Sequence, residues 1–166
     1  MTDRIFNVLV LCSGNSARSI MGEGLFNYWG KGAVRAYSAG SKPAGKVNPL
    51  ALDTLAKHGI SVADARSKSW DEFNTPDASR FDFIINVCDN AANEPCPYWS
   101  GHPTTAHWGI PDPAHVEPLE ARRIAFEQAC QQLESRILAF VALPLVAMST
   151  EQVQEAARQI HLEGLL

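Results

Sequence analysis

The sequence predicts a single α/β domain, in which helices and a four-stranded parallel sheet form a three-layer sandwich. Three observations predict this fold class. Apolar runs of strand length alternate with amphipathic helical segments along the chain. The first run, residues 6–11, is apolar almost throughout, which is typical of a strand buried on both faces of a sheet. A chain of 166 residues, 46% of them hydrophobic and 19% charged, is long enough to bury one sizeable core.

The first half of the chain contains the patterns of two strands and two helices. The expected elements are a strand at 6–11, a helix at 19–29, a strand at 34–40 and a helix that starts after Asn48. That second helix has clear boundary signals. Asn48 is a good N-cap, Pro49 suits the first helical position, and Gly59 follows the end.

The second half of the chain contains the patterns of two more strands and two more helices. A strand is expected at 81–87, a shorter strand at 104–108, a long helix at 117–141, and a last helix capped by Ser149 or Thr150. Residues 88–103 are rich in Pro, Asn and Gly and predict a long loop, which in a compact domain is usually functional or disordered. We expect residues 1–142 to form the domain, and residues 143–166 to form a helical extension packed on it.

Charge and cysteine content limit the function classes. The net charge of −4 gives no general attraction to nucleic acid or to anionic membranes. No apolar run reaches the ~18 residues needed to span a bilayer. The N-terminus runs directly into the first strand without a small-residue cleavage site, so we expect no signal peptide. The four cysteines are expected to be reduced and available for chemistry, as in a cytoplasmic protein.

Two cysteines follow strands of the expected sheet. Ligands of such sheets bind beyond the carboxyl ends of the strands, where the strand order reverses. If the order is 2-1-3-4, this point lies between the first and third strands. Cys12 follows the first strand and Cys88 follows the third. The two thiols should then meet at one edge, on strands ~4.8 Å apart.

The segment after the first strand has the composition of an anion-binding loop. Small residues let the backbone curl with its N–H groups inward, and the planar guanidinium of Arg18 suits a tetrahedral oxyanion. The positive end of the next helix stabilises both an anion and a Cys12 thiolate. The alternative is a structural cysteine that is buried and followed by an ordinary surface turn. The order of a strand, a C-x5-R-S motif and a helix makes this alternative the less favoured one. The expected oxyanion-binding residues are Ser13, Gly14, Asn15, Ser16, Ala17, Arg18 and Ser19.

The same residues carry a family resemblance. The loop "VLCSGNSARS" resembles the phosphate-binding loop of low-molecular-weight protein tyrosine phosphatases and of the arsenate reductases built on that fold. Three later segments resemble the arsenate reductase branch: "YSAGSKPAGKVNPLALDTLAKHGI", "VCDNAANEPCP" and "HWGIPDPA". The resemblance implies that Cys12 is the nucleophile and that Arg18 and the loop amides bind the oxyanion. It also implies that Asp112 is the general acid.

Two features favour arsenate reduction over phosphotyrosine hydrolysis. Phosphotyrosine phosphatases of this fold carry aromatic residues beside the Asp-Pro pair, whereas residues 113–116 here contain none. The resemblance further implies a relay of three thiols, in which Cys88 attacks the Cys12 sulfur of the arseno adduct and Cys96 then attacks Cys88. The resulting disulfide is reduced by thioredoxin. We expect no tightly bound cofactor.

Several alternatives remain open. Ala17 stands where many of these reductases have a cysteine, and seven residues separate Cys88 from Cys96, one more than in the thioredoxin-coupled members. A glutathione–glutaredoxin route is therefore an alternative to thioredoxin. A phosphatase acting through a Cys12–phosphate intermediate and a non-catalytic oxyanion sensor are alternative functions, although a sensor needs no acid such as Asp112.

Metal binding is not expected from the sequence. Some relatives hold a cation under the loop; Asn15, Glu23 and Ser38 match that site, but Ser69 stands where a carboxylate is required. Cys88, Cys96, His102 and His107 could in principle form a zinc site. This set lacks the tight C-x2-C spacing of structural zinc sites. Cys130 lies on the apolar stripe of the long helix and is expected to be a core residue.

Overall fold

The computed structural model describes residues 4–75, 80–88 and 103–164. Along these residues, two strands that are each followed by a helix precede two further strands and then two further helices. The strands are β1 (Phe6–Cys12), β2 (Val34–Gly40), β3 (Phe83–Cys88) and β4 (Thr104–Ile110). The helices are α1 (Arg18–Gly30), α2 (Pro49–Lys57), α3 (Leu119–Val141) and α4 (Thr150–Gly164). Two short 3₁₀ helices cover Trp70–Phe73 and Leu145–Ala147.

The four strands form one parallel sheet with the predicted order β2-β1-β3-β4. β1 lies between β2 and β3, and its residues 8–10 are fully buried. This position explains its apolar sequence, because a central strand of a covered parallel sheet meets side chains on both faces. The predicted fold class is confirmed.

The core is unequally divided between the two faces of the sheet. The larger part lies between the sheet and the helices, and its largest fully buried side chains are Trp108, Phe26, Phe126 and Phe140. Trp108 packs against Phe26 and Phe140, with ring centroids 6.2 and 5.8 Å away. A smaller cluster on the other face contains Leu9, Leu11, Ala39, Phe81 and Ile84, with Tyr37, Trp70 and Phe73 packed against it. The 3₁₀ helix at Trp70–Phe73, which the sequence did not predict, thus covers part of the second face.

The predicted boundaries of α2 agree with its caps. The side chain of Asn48 accepts a hydrogen bond from the Leu50 N–H at 2.9 Å, and Gly59 has a φ of +73°. In the second half of the chain, the observed strand boundaries differ from the predicted ones by two residues. β3 begins at Phe83 rather than 81, and β4 continues past 108 to Ile110, which pairs with Cys88. The predicted loop at 88–103 lies, apart from its two ends, outside the described residues.

Helix α4 packs on β4 and α3. The indole N–H of Trp108 donates to the Ala157 carbonyl at 2.9 Å, and Val153 and Ala157 are buried in the larger part of the core. Ser149 and Gln152 form reciprocal hydrogen bonds at the start of the helix, as in a capping box. None of the helices, over their described residues, is long and apolar enough to cross a membrane.

Candidate active site

The loop between β1 and α1 lies at the carboxyl edge of the sheet. β1 ends at Cys12, which is only 7% exposed, and α1 begins at Arg18. The N-cap residue, Ala17, makes no side-chain hydrogen bond to the first turn of the helix. The amide groups at a helix N-terminus and the helix dipole both favour an anion at this end.

Asn15 holds the loop from the inside. Its φ is +45°, a left-handed conformation that asparagine tolerates better than most residues, and its side chain is fully buried. Its Nδ2 donates to the Ser19 hydroxyl at 2.8 Å, and its Oδ1 accepts from the Lys68 backbone N–H at 2.9 Å. Asn15 therefore joins the loop to the start of α1 and to the chain segment that follows α2.

A second segment holds the loop from the outside. The backbone N–H groups of Lys42, Ala44 and Asn48 donate to the carbonyl oxygens of residues 13, 14 and 16, each at 2.9 Å. The Ser67 hydroxyl also donates to the carbonyl at residue 14, at 3.2 Å. Because these carbonyls bond outward, the backbone can turn its amide groups to the inner side of the loop, as an oxyanion site requires.

Gly40 allows β2 to approach this loop. A Cβ at this position would lie 2.3 Å from the Ser13 carbonyl oxygen and 2.8 Å from that of Cys12. Both neighbours are backbone atoms, which cannot move aside as a flexible side chain can. Glycine is therefore required where β2 ends beside Cys12.

Arg18 connects the loop to the end of β4. Its side chain is 8% exposed, its Nη1 donates to the Ile110 carbonyl at 2.9 Å, and its Nη2 lies 3.5 Å from Asp112 Oδ2. The other oxygen of Asp112 accepts from the Ala114 N–H at 2.9 Å. The Asp112 side chain is 38% exposed, and His115 Nε2 lies 3.9 Å from its Oδ2. The structure thus brings Arg18 and Asp112, 94 positions apart in the sequence, to one side of the loop.

The backbone of Cys88 lies at the same edge of the sheet. β3 is the neighbour of β1, Asn86 pairs with Leu11, and Cys88 is the last residue of its strand. After an irregularity in the register, Cys88 pairs with Ile110, the residue whose carbonyl accepts from Arg18. The predicted meeting of the first and third strand ends is therefore seen at backbone level. Cys96, the other predicted resolving thiol, lies outside the described residues, as does His102.

A buried ion pair supports the loop through the segment after α2. Lys68 Nζ lies 3.8 Å from Glu23 Oε1 and donates to the Arg66 carbonyl at 3.0 Å, and Ser38 donates its hydroxyl to the same Glu23 oxygen. The side chains of Lys68 and Glu23 are only 6% and 17% exposed. Burial raises the pKa of Glu23 and lowers the pKa of Lys68, while the attraction between the two charges opposes both shifts. The positive charge beside Glu23 is thus supplied by a side chain of the protein.

Sequence reasoning missed Gly40, Ser67 and Lys68 as supports of the loop. Gly40 had a usable signal, because it is the last residue of a strand predicted to end beside Cys12. Ser67 and Lys68 had none, since they contact the loop across 53 positions of sequence.

Comparisons with known proteins identify a family and several similar structures. The family described as low molecular weight phosphotyrosine protein phosphatase has a model that matches residues 7–159. An arsenate reductase of Shouchella clausii is 33% identical over 134 residues, which cover 80% of this chain and 93% of the relative. The crystal structure of an arsenate reductase from Archaeoglobus fulgidus is similar with a TM-score of 0.64 and 30% identity, covering 82% of this chain and 99% of that one. An arsenate reductase solved in its oxidized state has a TM-score of 0.68 and 25% identity, covering 83% and 98% of the two chains.

Proposed function

Because this chain belongs to the low-molecular-weight phosphotyrosine protein phosphatase family, we propose that it reduces arsenate to arsenite with Cys12 as the nucleophile. The observation that carries the proposal is the position of Arg18. Arg18 follows the loop that begins at Cys12, and its buried guanidinium donates to the Ile110 carbonyl and lies beside the Asp112 carboxyl. A nucleophile, an oxyanion-binding group and a proton donor are then close to one bound anion.

In the first step, the Cys12 thiolate attacks the arsenic atom of an arsenate held by Arg18 and the amides of residues 13–19. A sulfur–arsenic bond forms, and one arsenic–oxygen bond breaks. Asp112 donates a proton to the departing oxygen, which leaves as water. The exposure of Asp112 supports this role, since its carboxyl can exchange protons with solvent between turnovers.

In the second step, the thiolate of Cys88 attacks the sulfur of Cys12. The electron pair of the sulfur–arsenic bond passes to arsenic, which is reduced from As(V) to As(III) and leaves as arsenite. Cys96 then attacks Cys88 and releases the Cys12 thiolate, so that a Cys88–Cys96 disulfide carries the oxidation. The position of Cys88 at the end of the strand next to β1 supports the first of these exchanges, because a disulfide needs Cα atoms ~4.4–6.8 Å apart.

The oxidised pair must then be reduced from outside. A dithiol protein such as thioredoxin is the reductant that fits a protein disulfide, because its second thiol resolves the mixed disulfide. A glutathione–glutaredoxin system is the alternative. The solved oxidized state of a similar arsenate reductase supports a redox cycle of this kind for the present chain.

Hydrolysis of small phosphate monoesters is a second candidate activity. Phosphate and arsenate have the same shape and charge, and the matching family is named for phosphatase activity. The absence of aromatic residues at 113–116 favours small substrates over phosphotyrosine. We expect this activity to be a side reaction of the same loop.

Oxidation of NADPH in the presence of arsenate tests the proposal. One reaction contains thioredoxin and thioredoxin reductase, and a second contains glutathione, glutaredoxin and glutathione reductase. We expect arsenate-dependent oxidation in at least one, with the thioredoxin system faster. Aryl phosphate hydrolysis without arsenate reduction in either system would favour the phosphatase.

A further inference from the structure

A group of three metal-binding side chains lies away from the oxyanion loop, between α2 and α3. His58 is the C-cap residue of α2, and Glu127 and Cys130 lie three positions apart on α3. Their ligand atoms all lie within 4.8 Å of one another, and His58 Nε2 is 2.7 Å from Glu127 Oε2. Among the described residues, no other group of three or more His, Cys, Asp or Glu side chains has its ligand atoms this close together.

We propose that His58, Glu127 and Cys130 bind a zinc ion that joins α2 to α3. An imidazole nitrogen, a carboxylate oxygen and a thiolate are the three ligand types that zinc takes in proteins. Calcium and magnesium prefer sites made of oxygen alone, so this mixed set selects a transition metal. Three protein ligands leave the fourth tetrahedral position for water.

The three side chains differ in burial in a way that suits a metal site: the cysteine is buried, and the other two ligands are partly exposed to solvent. Cys130 is fully buried, and its neighbours on α3 pack in the core, so that its sulfur has a fixed position. The side chains of His58 and Glu127 are 26% and 34% exposed, which gives the ion a path from solvent. Zinc binding replaces the thiol proton by a zinc–sulfur bond and releases that proton to water.

The geometry needs only a small adjustment to hold the ion. Zinc–nitrogen and zinc–sulfur bonds of ~2.0 and ~2.3 Å place tetrahedral ligand atoms about 3.5 Å apart. The present separations, from 2.7 Å to no more than 4.8 Å, bracket that value. The contact between His58 Nε2 and Glu127 Oε2 would open slightly, and both groups would turn toward the sulfur.

The proposed ion would stabilise the helix that supports the oxyanion loop from outside. The start of α2 is tied to the loop, because the Asn48 N–H donates to the Ser16 carbonyl. A bound ion would fix the other end of α2 to α3. Zinc should therefore raise the thermal stability of the chain without contact to Cys12.

The test uses the full chain with Cys12, Cys88 and Cys96 changed to Ser, which leaves Cys130 as the only thiol. Titration with Co²⁺ under anaerobic conditions should give one ion per chain and a thiolate-to-cobalt charge-transfer band, which zinc then removes. Adding Cys130→Ser should abolish the band. His58→Gln and Glu127→Gln, both at partly exposed positions, should each weaken binding at least tenfold while leaving the circular dichroism unchanged.

His115→Gln serves as the matched control, because His115 is 89% exposed, lies 3.9 Å from Asp112 and is not one of the three grouped side chains. It should leave cobalt binding and the zinc-induced rise in Tm unchanged. No cobalt–thiolate band in the three-serine chain would overturn the proposal. Binding of equal strength in the His58→Gln and Glu127→Gln variants would overturn it as well.

Discussion

Cys12 and Cys130 are both buried, yet their surroundings are opposite. Cys130 is fully buried on α3, and burial together with nearby Glu127 and Glu134 raises the pKa of its thiol to about 12. Cys12 is 7% exposed at the end of β1, where the loop that leads to Arg18 at the start of α1 begins. Under the proposed mechanism Cys12 reacts as a thiolate although it is buried. If so, the nearby dipoles and charges decide how a buried thiol behaves, and burial alone does not.

The polar surroundings of Cys12 are satisfied by specific partners. Asn15, Arg18 and Lys68 are all buried, and each makes hydrogen bonds to backbone atoms at 3.0 Å or less. Fully bonded polar networks of this kind hold a site rigid, whereas a lost partner leaves a costly unpaired group. Cys130 is also part of the apolar core, but Glu127 and His58 lie within 4.8 Å of its sulfur on one side.

Cys12→Ser should remove the proposed nucleophile. A hydroxyl in this loop stays protonated near neutral pH, so both arsenate reduction and aryl phosphate hydrolysis should be abolished. Phosphate binding, measured by calorimetry, should persist because Arg18 and the loop are unchanged. Turnover by the pure variant would assign the nucleophile elsewhere.

Asp112→Asn should keep the shape of the site and remove the proton donor. The rate of the first chemical step should fall by roughly 10²–10⁴-fold, measured in a single turnover, while oxyanion affinity changes little. An unchanged rate would show that another group donates the proton. His115, 3.9 Å from Asp112, is the first alternative to test.

Lys68→Met should destabilise the buried network by leaving Glu23 without its positive partner. Removing one member of a buried ion pair costs about 3 kcal/mol of unfolding free energy. Without the ammonium, the pKa of Glu23 should rise further above its value in the unfolded chain. The Glu23 contribution to stability is then present at acidic pH and lost as pH rises through the folded pKa, so the deficit should be larger at about pH 8 than at about pH 5.

Arg66→Met is the matched control for Lys68→Met. Arg66 pairs with Glu72 on the same segment, but the two side chains are 59% and 42% exposed. Exposed pairs contribute less than about 1 kcal/mol. The charge of Arg66 lowers the pKa of Glu23 less than that of Lys68 does, so the pH dependence should be weaker than in Lys68→Met. Urea unfolding of both variants across pH measures the difference. Equal losses would contradict the role given to burial.

Gly40→Ala should strain the loop from outside. The new Cβ would meet backbone oxygens at 2.3 and 2.8 Å, and such overpacking costs about 1–3 kcal/mol. Oxyanion affinity should fall together with the free energy of unfolding. Gly24→Ala is the control, because its Cβ would meet only side-chain atoms of Leu55 and Ile60 at 3.2–3.3 Å. Unchanged phosphate binding in Gly40→Ala would show that the loop tolerates the displacement.

The sequence predicted the parts of the site that depend on local order. The spacing from Cys12 to Arg18 fixes a loop between a strand and a helix, and the structure has both elements in place. Asp112 depended on resemblance, since a Pro-rich turn by itself does not indicate an acid. Its position 3.5 Å from Arg18 arises from the order of the strands, which brings β4 to that side of the loop.

The parts that the sequence did not predict depend on contacts between distant segments. Lys68 reaches Asn15 across 53 positions, and His58 reaches Glu127 across 69. No periodicity or spacing rule reports such contacts, because packing of the whole domain creates them. The roles of Cys12, Arg18, Asp112, Cys88 and Cys96, and the division of the chain at residue 142, stay predictions.

A single turnover without external reductant tests whether Cys12, Cys88 and Cys96 together reduce arsenate. The fully reduced chain receives one equivalent of arsenate, and the reaction is followed by arsenic speciation and by peptide mapping of the cysteines. We predict one arsenite released per chain, a Cys88–Cys96 disulfide, and reduced Cys12 and Cys130. Arsenate that remains unreduced, with all four thiols intact, would contradict it.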